Sequence, residues 1–387
     1  MPDIAPMHLP VSAKGSTISA SVLHGPRDLR LEARVIEDPG VGELQIAVKS
    51  TGICGSDVSY YKKFANGDLC ACAPLSLGHE SSGVVVAIGP LVSGFQVGDR
   101  VALEVGIPCG QCTTCRKGRL PDHVSFDAAA LLEPLSVAIH AVNRASPTPG
   151  STALVVGAGT VGLLTAAMAR QSGCTTVTIT DIDAGRVGYA LKKGFATHGY
   201  VVPHPLHTSS SSSSIFTNSG ASTPLDSGVV TPSSMFSNSI HGQLEGAKSL
   251  AADILSLTSP PPILQSEDED DGVDVTFECT GKEVCMHTSL YATRPGGKVI
   301  MVGMGTPIQT LPMSVAHLRE VDILGIFRYA NTYSTGIRLL CGGSLPSLDD
   351  MVTHRFKGLG AAKRAFELAG RTVDDDGNLV LKVIIEA

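Results

Sequence analysis

Apolar positions along the chain keep two rhythms. Over residues 21–100 they come in short alternating runs, such as residues 44–48 and 83–88, separated by Gly and Asp-containing breaks. Period-two runs between such breaks predict a β-rich domain. From Ala153 the rhythm changes. Residues 153–156 read as a short buried strand, a glycine turn follows, residues 161–171 form an apolar helix, and 176–180 is the next strand. Strand, turn, helix and strand in that order open a doubly wound parallel sheet, which the pattern resumes at 273–277 and 298–302. Residues 1–20 read as a flexible tail.

Between these halves lies a segment with no core pattern. Residues 204–243 are rich in Ser, Thr, Pro and Asn, with six consecutive serines from Ser209 to Ser214. A helix is expected next, with Ala247, Leu250, Ile254 and Leu257 on one face. A Pro-rich and acidic loop occupies about 259–271. The Ser-rich stretch predicts a disordered surface insertion.

Composition narrows the class. The 387 residues suit two domains, and 43% hydrophobic with 17% charged residues fits globular cores. A net charge of −7 gives no general attraction to nucleic acid or anionic membrane. The apolar run near residues 152–169 is broken by three glycines, too interrupted for a membrane span. The first residues lack the basic start and apolar core of an export signal. A cytoplasmic enzyme is expected, its ten cysteines being thiols or metal ligands.

Two constellations carry chemistry. Gly157-Ala158-Gly159-Thr160-Val161-Gly162 follows a strand and opens a helix, with Asp181 nineteen residues past the last glycine. That context is a dinucleotide fingerprint: the helix N-terminus faces the phosphates, and an acid at 181 accepts from ribose hydroxyls and disfavours a 2′-phosphate, so NAD is expected. Arg186 lies either beside the adenosine ribose or on a solvated helix face. The second constellation is Cys54 in Gly52-Ile53-Cys54-Gly55-Ser56-Asp57, His79-Glu80 twenty-five residues on, and Glu133 in Leu132-Glu133-Pro134. Thiolate, imidazole and carboxylates are the ligand types of a catalytic zinc with an open position. Such a site acidifies an alcohol so that hydride can pass to a nicotinamide, and Ser56 is placed to relay the proton.

In this order the motifs resemble the zinc-dependent medium-chain dehydrogenases, and within them the fungal-like sorbitol (L-iditol 2-) and xylitol dehydrogenases. The more specific pointers are residues 131–138, Phe277-Glu278-Cys279-Thr280-Gly281, 319–323 and 327–332. The resemblance covers all but the tail and the Ser-rich insertion. It implies an α/β protein in which a GroES-like catalytic domain (21–144 and 326–387) is interrupted by a Rossmann domain (145–325). It implies Zn2+ on Cys54, His79 and Glu80, with Glu133 near it directly or through water. Cofactor contacts fall to Gly157, Gly159, Val161, Gly162, Asp181, Arg186, Val302 and Phe327, and polyol contacts to Tyr60, Arg328 and Tyr329. The small-molecule partner implied is a polyol and its ketose, and the assembly a homodimer or homotetramer.

The chain departs from this family at one place. Cys109, Cys112 and Cys115 match the start of a structural zinc lobe, but residues 118–119 run straight into 120–124, a stretch the family places several dozen residues later. The catalytic domain is therefore expected to be shortened near 119/120, with unpaired strand edges. His123 falls at the spacing of the lost fourth cysteine, making Cys109, Cys112, Cys115 and His123 a second candidate metal set. Three readings follow: an active NAD-linked polyol dehydrogenase, an inactive NAD-binding relic or incomplete gene product of one, and a zinc-free reductase of the same superfamily. Cys54, His79 and Glu80 together speak against the third.

Overall fold

A computed structural model describes residues 15–104, 120–203, 240–257 and 272–387. The chain divides into two compact units, residues 1–136 with 330–387, and residues 137–329.

The first unit is built on a five-stranded sheet. Its strand order is Val352–Lys357, Lys382–Glu386, Leu44–Gly52, Glu80–Ile88 and Arg100–Leu103. A second sheet pairs Ser16–Gly25 with Asp28–Ile36 and Leu75–Ser76. Ser16–Gly25 begins inside the expected tail, so the tail is shorter than 1–20: pairing of Ser16 to Ile36 gives those backbone groups partners that polar composition alone did not reveal. The core gathers Leu23, Val58, Tyr61, Phe366, Val383 and Ile385, with Tyr61 and Phe366 stacked at 5.3 Å between ring centroids. Register matters here. Gly52 lies opposite both Glu80 and Ile384, so the last strand of the chain is laid beside the two segments carrying Cys54 and Glu80.

The expected loose edge near the junction is partly covered. The Leu120 N–H donates to the Arg100 carbonyl at 3.0 Å. The Arg100 guanidinium donates to the carbonyls of Asp122 and Val124, both at 2.6 Å, and lies 4.3 Å over the Phe126 ring. A single edge-strand side chain thus seats the segment after the junction.

In the second unit six parallel strands follow the order His198–Val201, Thr176–Asp181, Thr152–Val156, Val273–Glu278, Thr293–Met301 and Asp322–Gly325. This is the doubly wound sheet read from the apolar rhythm. The strand expected at 298–302 starts earlier, at Thr293, and ends at Met301. The helix Ile240–Ser256 buries Ala247, Leu250 and Ile254, but Leu257 lies past its end and is exposed. That helix also takes in 240–243, which the composition had assigned to the insertion. The rest of the Ser-rich stretch and the whole acidic loop at 259–271 lie outside the described residues. Among the described residues no helix is long and apolar enough to cross a membrane.

Replacing Arg100 by Ala removes charged donors from several carbonyls at once. It is expected to lower stability by about 2 kcal/mol, since hydrogen bonds to charged groups are worth roughly 1.5–3 kcal/mol. A urea denaturation midpoint unchanged in Arg100→Ala would show that the segment after the junction is not held this way.

Candidate active site

Cys54 stands at the N-cap of the helix Gly55–Lys63. The third helical residue, Asp57, accepts from the Cys54 N–H at 3.0 Å, fixing the entry into the helix as a capping box does. Asp57 is buried, and its other oxygen faces the second segment: it accepts from the Gly78 N–H at 3.3 Å and from His79 Nδ1 at 3.2 Å. A proton on Nδ1 is the tautomer that this bond requires, and it leaves Nε2 as a metal-binding atom. Cys54, His79 and Glu80 each offer one ligand atom, all within 4.8 Å of one another. Among the described residues this is the one such group.

Glu80 is 1% exposed, a costly place for a carboxylate. Lys382, itself 2% exposed, donates to Glu80 Oε2 at 2.5 Å and to the Ile53 carbonyl at 3.1 Å. Burial pulls the Lys382 ammonium down, but the charge of Glu80 and then of Cys54 outweighs it, and the group is held charged. Burial likewise works against a charged His79, yet Asp57 and Cys54 raise its pKa to about 11. An environment that holds a proton so firmly on an imidazole is one that suits a cation. Sulfur, nitrogen and oxygen donors, oriented from behind by Asp57 and Lys382, fit zinc in chemistry and number. Asp57 was visible only as part of a motif, and Lys382 carried no signal in the sequence at all.

Other expected residues fall as follows. Ser56, in the first turn of the same helix, is half-buried, and Tyr60 is half-buried against the core. Glu133 is buried near the start of Leu132–Ala145 and is not in the close ligand group. His123 is exposed; Cys109, Cys112 and Cys115 lie outside the described residues.

In the second unit the glycine turn is built as read. Gly157 has φ +104°, and a Cβ on Gly162 would lie 1.8 Å from the Gly157 carbonyl oxygen, so the helix Thr160–Gln171 starts against the strand only because both are glycine. Gly159 is the N-cap, and Val161 is half-buried in the first turn. Asp181 ends its strand; one oxygen accepts from the Ala158 N–H at 2.7 Å and the other from the Asp183 N–H at 2.9 Å. The acid therefore also props the glycine turn. Arg186 is half-buried, with Nη1 4.0 Å from where a Cβ on Gly159 would be. The Val302 N–H donates to the Glu278 carbonyl. Phe327 and Arg328 are exposed, with Arg328 in the left-handed region at φ +51°; Tyr329 is half-buried.

The alcohol dehydrogenase GroES-like domain matches residues 40–132, and the zinc-binding dehydrogenase domain matches residues 236–341. Sorbitol dehydrogenase of Gallus gallus is 34% identical, over 93% of this chain and 95% of its own length. The chain belongs to the sorbitol dehydrogenase family. Sorbitol dehydrogenase of Homo sapiens is also 34% identical, over 92% and 93% of the two chains. Among solved structures, L-idonate 5-dehydrogenase from Escherichia coli superposes with a TM-score of 0.71 at 20% identity, over 97% of this chain and 99% of its own. 2R,3R-butanediol dehydrogenase from Bacillus subtilis gives 0.69 at 22%, over 96% and 100%. These two share the fold. As a member of the sorbitol dehydrogenase family the protein is an oxidoreductase, with zinc and NAD as its cofactors.

Two outcomes follow for the metal trio. Because His79 keeps its proton up to about 11, zinc uptake at neutral pH must expel that proton, so affinity rises with pH. Calorimetry in buffers of different ionisation enthalpy should show release of about one proton or more per zinc; uptake without release would contradict the arrangement. Lys382→Met strands a buried carboxylate and should cost about 3–5 kcal/mol in chelator-treated protein. The loss should be smaller once zinc is added, because the metal compensates Glu80. Equal losses in both forms would show that Glu80 does not face the metal.

Proposed function

We propose that the protein oxidises a polyol such as sorbitol or xylitol to the ketose, passing hydride to NAD in preference to NADP. The observation that carries this reading is the convergence of Cys54, His79 and Glu80, backed by Asp57 and Lys382, in a chain that also holds an intact glycine turn with Asp181. Zinc, when bound, supplies the Lewis acidity that makes a secondary alcohol a stronger acid.

The protein's own residues do the rest. Asp57 fixes the imidazole tautomer and the helix start that presents Cys54. Lys382 pairs with Oε2 of Glu80 and so compensates a carboxylate buried beside the ligand group. Ser56, in the first turn of the same helix, is assigned the relay of the substrate proton towards water, and Glu133 a supporting carboxylate. Tyr60, Arg328 and Tyr329 are assigned to the polyol hydroxyls. Gly157, Gly159, Val161 and Gly162 shape the pyrophosphate seat, Asp181 takes the adenosine ribose and repels a 2′-phosphate, and Arg186, Val302 and Phe327 complete the cofactor contacts.

The enzyme is proposed to work in the cytoplasm as a homodimer or homotetramer. In support, every cysteine among the described residues is a free thiol, including exposed Cys70, Cys72 and Cys341. The second reading, an NAD-binding protein without turnover, draws on the junction at 119/120, where residue 120 bonds directly to the edge strand.

Zinc-loaded protein should form NADH from sorbitol, xylitol or L-arabinitol, with much less product from NADP. Cys54→Ser should lower kcat by at least about 100-fold, the scale of removing a group that stabilises developing charge. Asp181→Ala should narrow the preference for NAD over NADP. Folded, zinc-loaded protein that binds NADH but turns over none of these alcohols would establish the non-catalytic reading.

A further inference from the structure

The motif Phe277-Glu278-Cys279-Thr280-Gly281 marks the family but has no part in the chemistry above. In the structure Glu278 ends the strand Val273–Glu278, which pairs with Thr152–Val156. The chain order of the strands reverses between these two, and the carboxyl ends of strands at such a point are where doubly wound sheets bind ligands. Glu278 is a carboxylate buried to 1% exposure, and among the described residues its hydrogen-bond partners are Thr280 and Gly281, neither a cation. Oε1 accepts from the Thr280 N–H at 2.8 Å, from Thr280 Oγ1, and from the Gly281 N–H at 3.1 Å; Oε2 also accepts from the Gly281 N–H, at 2.9 Å. Thr280 Oγ1 in turn accepts from the Lys282 N–H at 3.1 Å. The side chain thus folds over the next three residues and holds them in one turn.

What this turn touches gives it a role. On one side it meets the glycine turn: a Cβ on Gly157 would lie 2.8 Å from Thr280 Cγ2, and one on Gly162 would lie 3.7 Å from Cys279 Cβ. On the other side Gly281, at φ +71°, is pressed against the loop after the next strand, where a Cβ on Gly303 would lie 2.1 Å from the Gly281 nitrogen. The Glu278 carbonyl accepts from the Val302 and Gly303 N–H groups as well. One residue therefore sets the spacing between the pyrophosphate loop and the loop of Val302 and Gly303. A backbone turn alone does not need a buried charge; burial raises the Glu278 pKa, and three hydrogen bonds only partly offset it.

We propose that Glu278 is a positioning residue for the dinucleotide: its carboxylate clamps the turn of Thr280 and Gly281 between two cofactor loops, and so sets affinity for the half of the cofactor beyond the adenosine. This rests on the nucleotide reading of the glycine turn, not on the identity of the polyol.

The test measures binding of NADH and of 5′-AMP, by fluorescence and calorimetry, to the full zinc-loaded chain. Glu278→Gln keeps one acceptor oxygen but turns an amide NH2 towards the Gly281 N–H. It is expected to weaken NADH about tenfold, a loss of about 1.4 kcal/mol, while AMP affinity, zinc content and kcat at saturating NAD change less than twofold. Thr280→Val removes only the hydroxyl from the clamp and should weaken NADH about threefold, which keeps the proposal testable if the Gln variant folds poorly. A lower melting temperature with unchanged NADH affinity in these variants would make Glu278 purely structural and overturn the clamp. Equal loss of AMP and NADH would also overturn it, by showing general damage to the sheet. Failure of the wild-type chain to bind NADH would instead sink the nucleotide reading itself.

Discussion

Glu80 is almost wholly buried, and the catalytic unit is organised around keeping its charge compensated. Asp57 and Cys54 add to the demand within the same few ångströms. An ionised carboxylate away from water costs several kcal/mol unless it is paired, so a cluster of this kind persists only with cations built in. Lys382 is one, and it comes from the last strand of the chain. The discontinuous topology, in which the C-terminal segment returns to pair with Leu44–Gly52, is thus the device that delivers the compensating charge. A divalent metal in front of Cys54, His79 and Glu80 is the other cation the arrangement favours. Packing of Tyr61 on Phe366 and burial of Val383 and Ile385 hold the returning strand where its lysine must reach.

The second unit solves a different problem with the same economy of residues. Its glycine turn is braced by Asp181, which accepts from the Ala158 N–H, while Glu278 accepts from the Thr280 and Gly281 N–H groups and so holds the turn that packs against Gly157. Rigid placement by buried hydrogen bonds is what lets a loop act as a preformed cradle.

Much of this was legible in the sequence, for physical reasons that can be named. The change of period from two to strand–turn–helix marked the two fold types, because each sheet exposes different faces to a core. Cys54, His79 and Glu80 were legible because thiolate, imidazole and carboxylate beside glycines are an uncommon combination. Lys382 was not: a lysine near a strand end reads as a solvated charge, and only the register of Gly52 between Glu80 and Ile384 shows otherwise. Residues 16–20, the first half of the first strand, read as tail because they are mostly exposed and their alternation is weak, and Leu257 falls one residue past the helix on whose face it is expected. The shortened lobe was expected to leave a raw edge; nothing in residues 120–124 announced that Arg100 would gather their carbonyls.

Cys54, His79 and Glu80 are proposed to hold one zinc, with Lys382 and Asp57 beside them. Elemental analysis of the metal content of wild-type and Cys54→Ser protein, purified side by side and matched for folded fraction, tests it most directly. The variant is expected to lose one equivalent of zinc, whatever the cysteines beyond residue 104 retain. The same zinc content in both proteins, or a wild-type chain that takes up none, would contradict it.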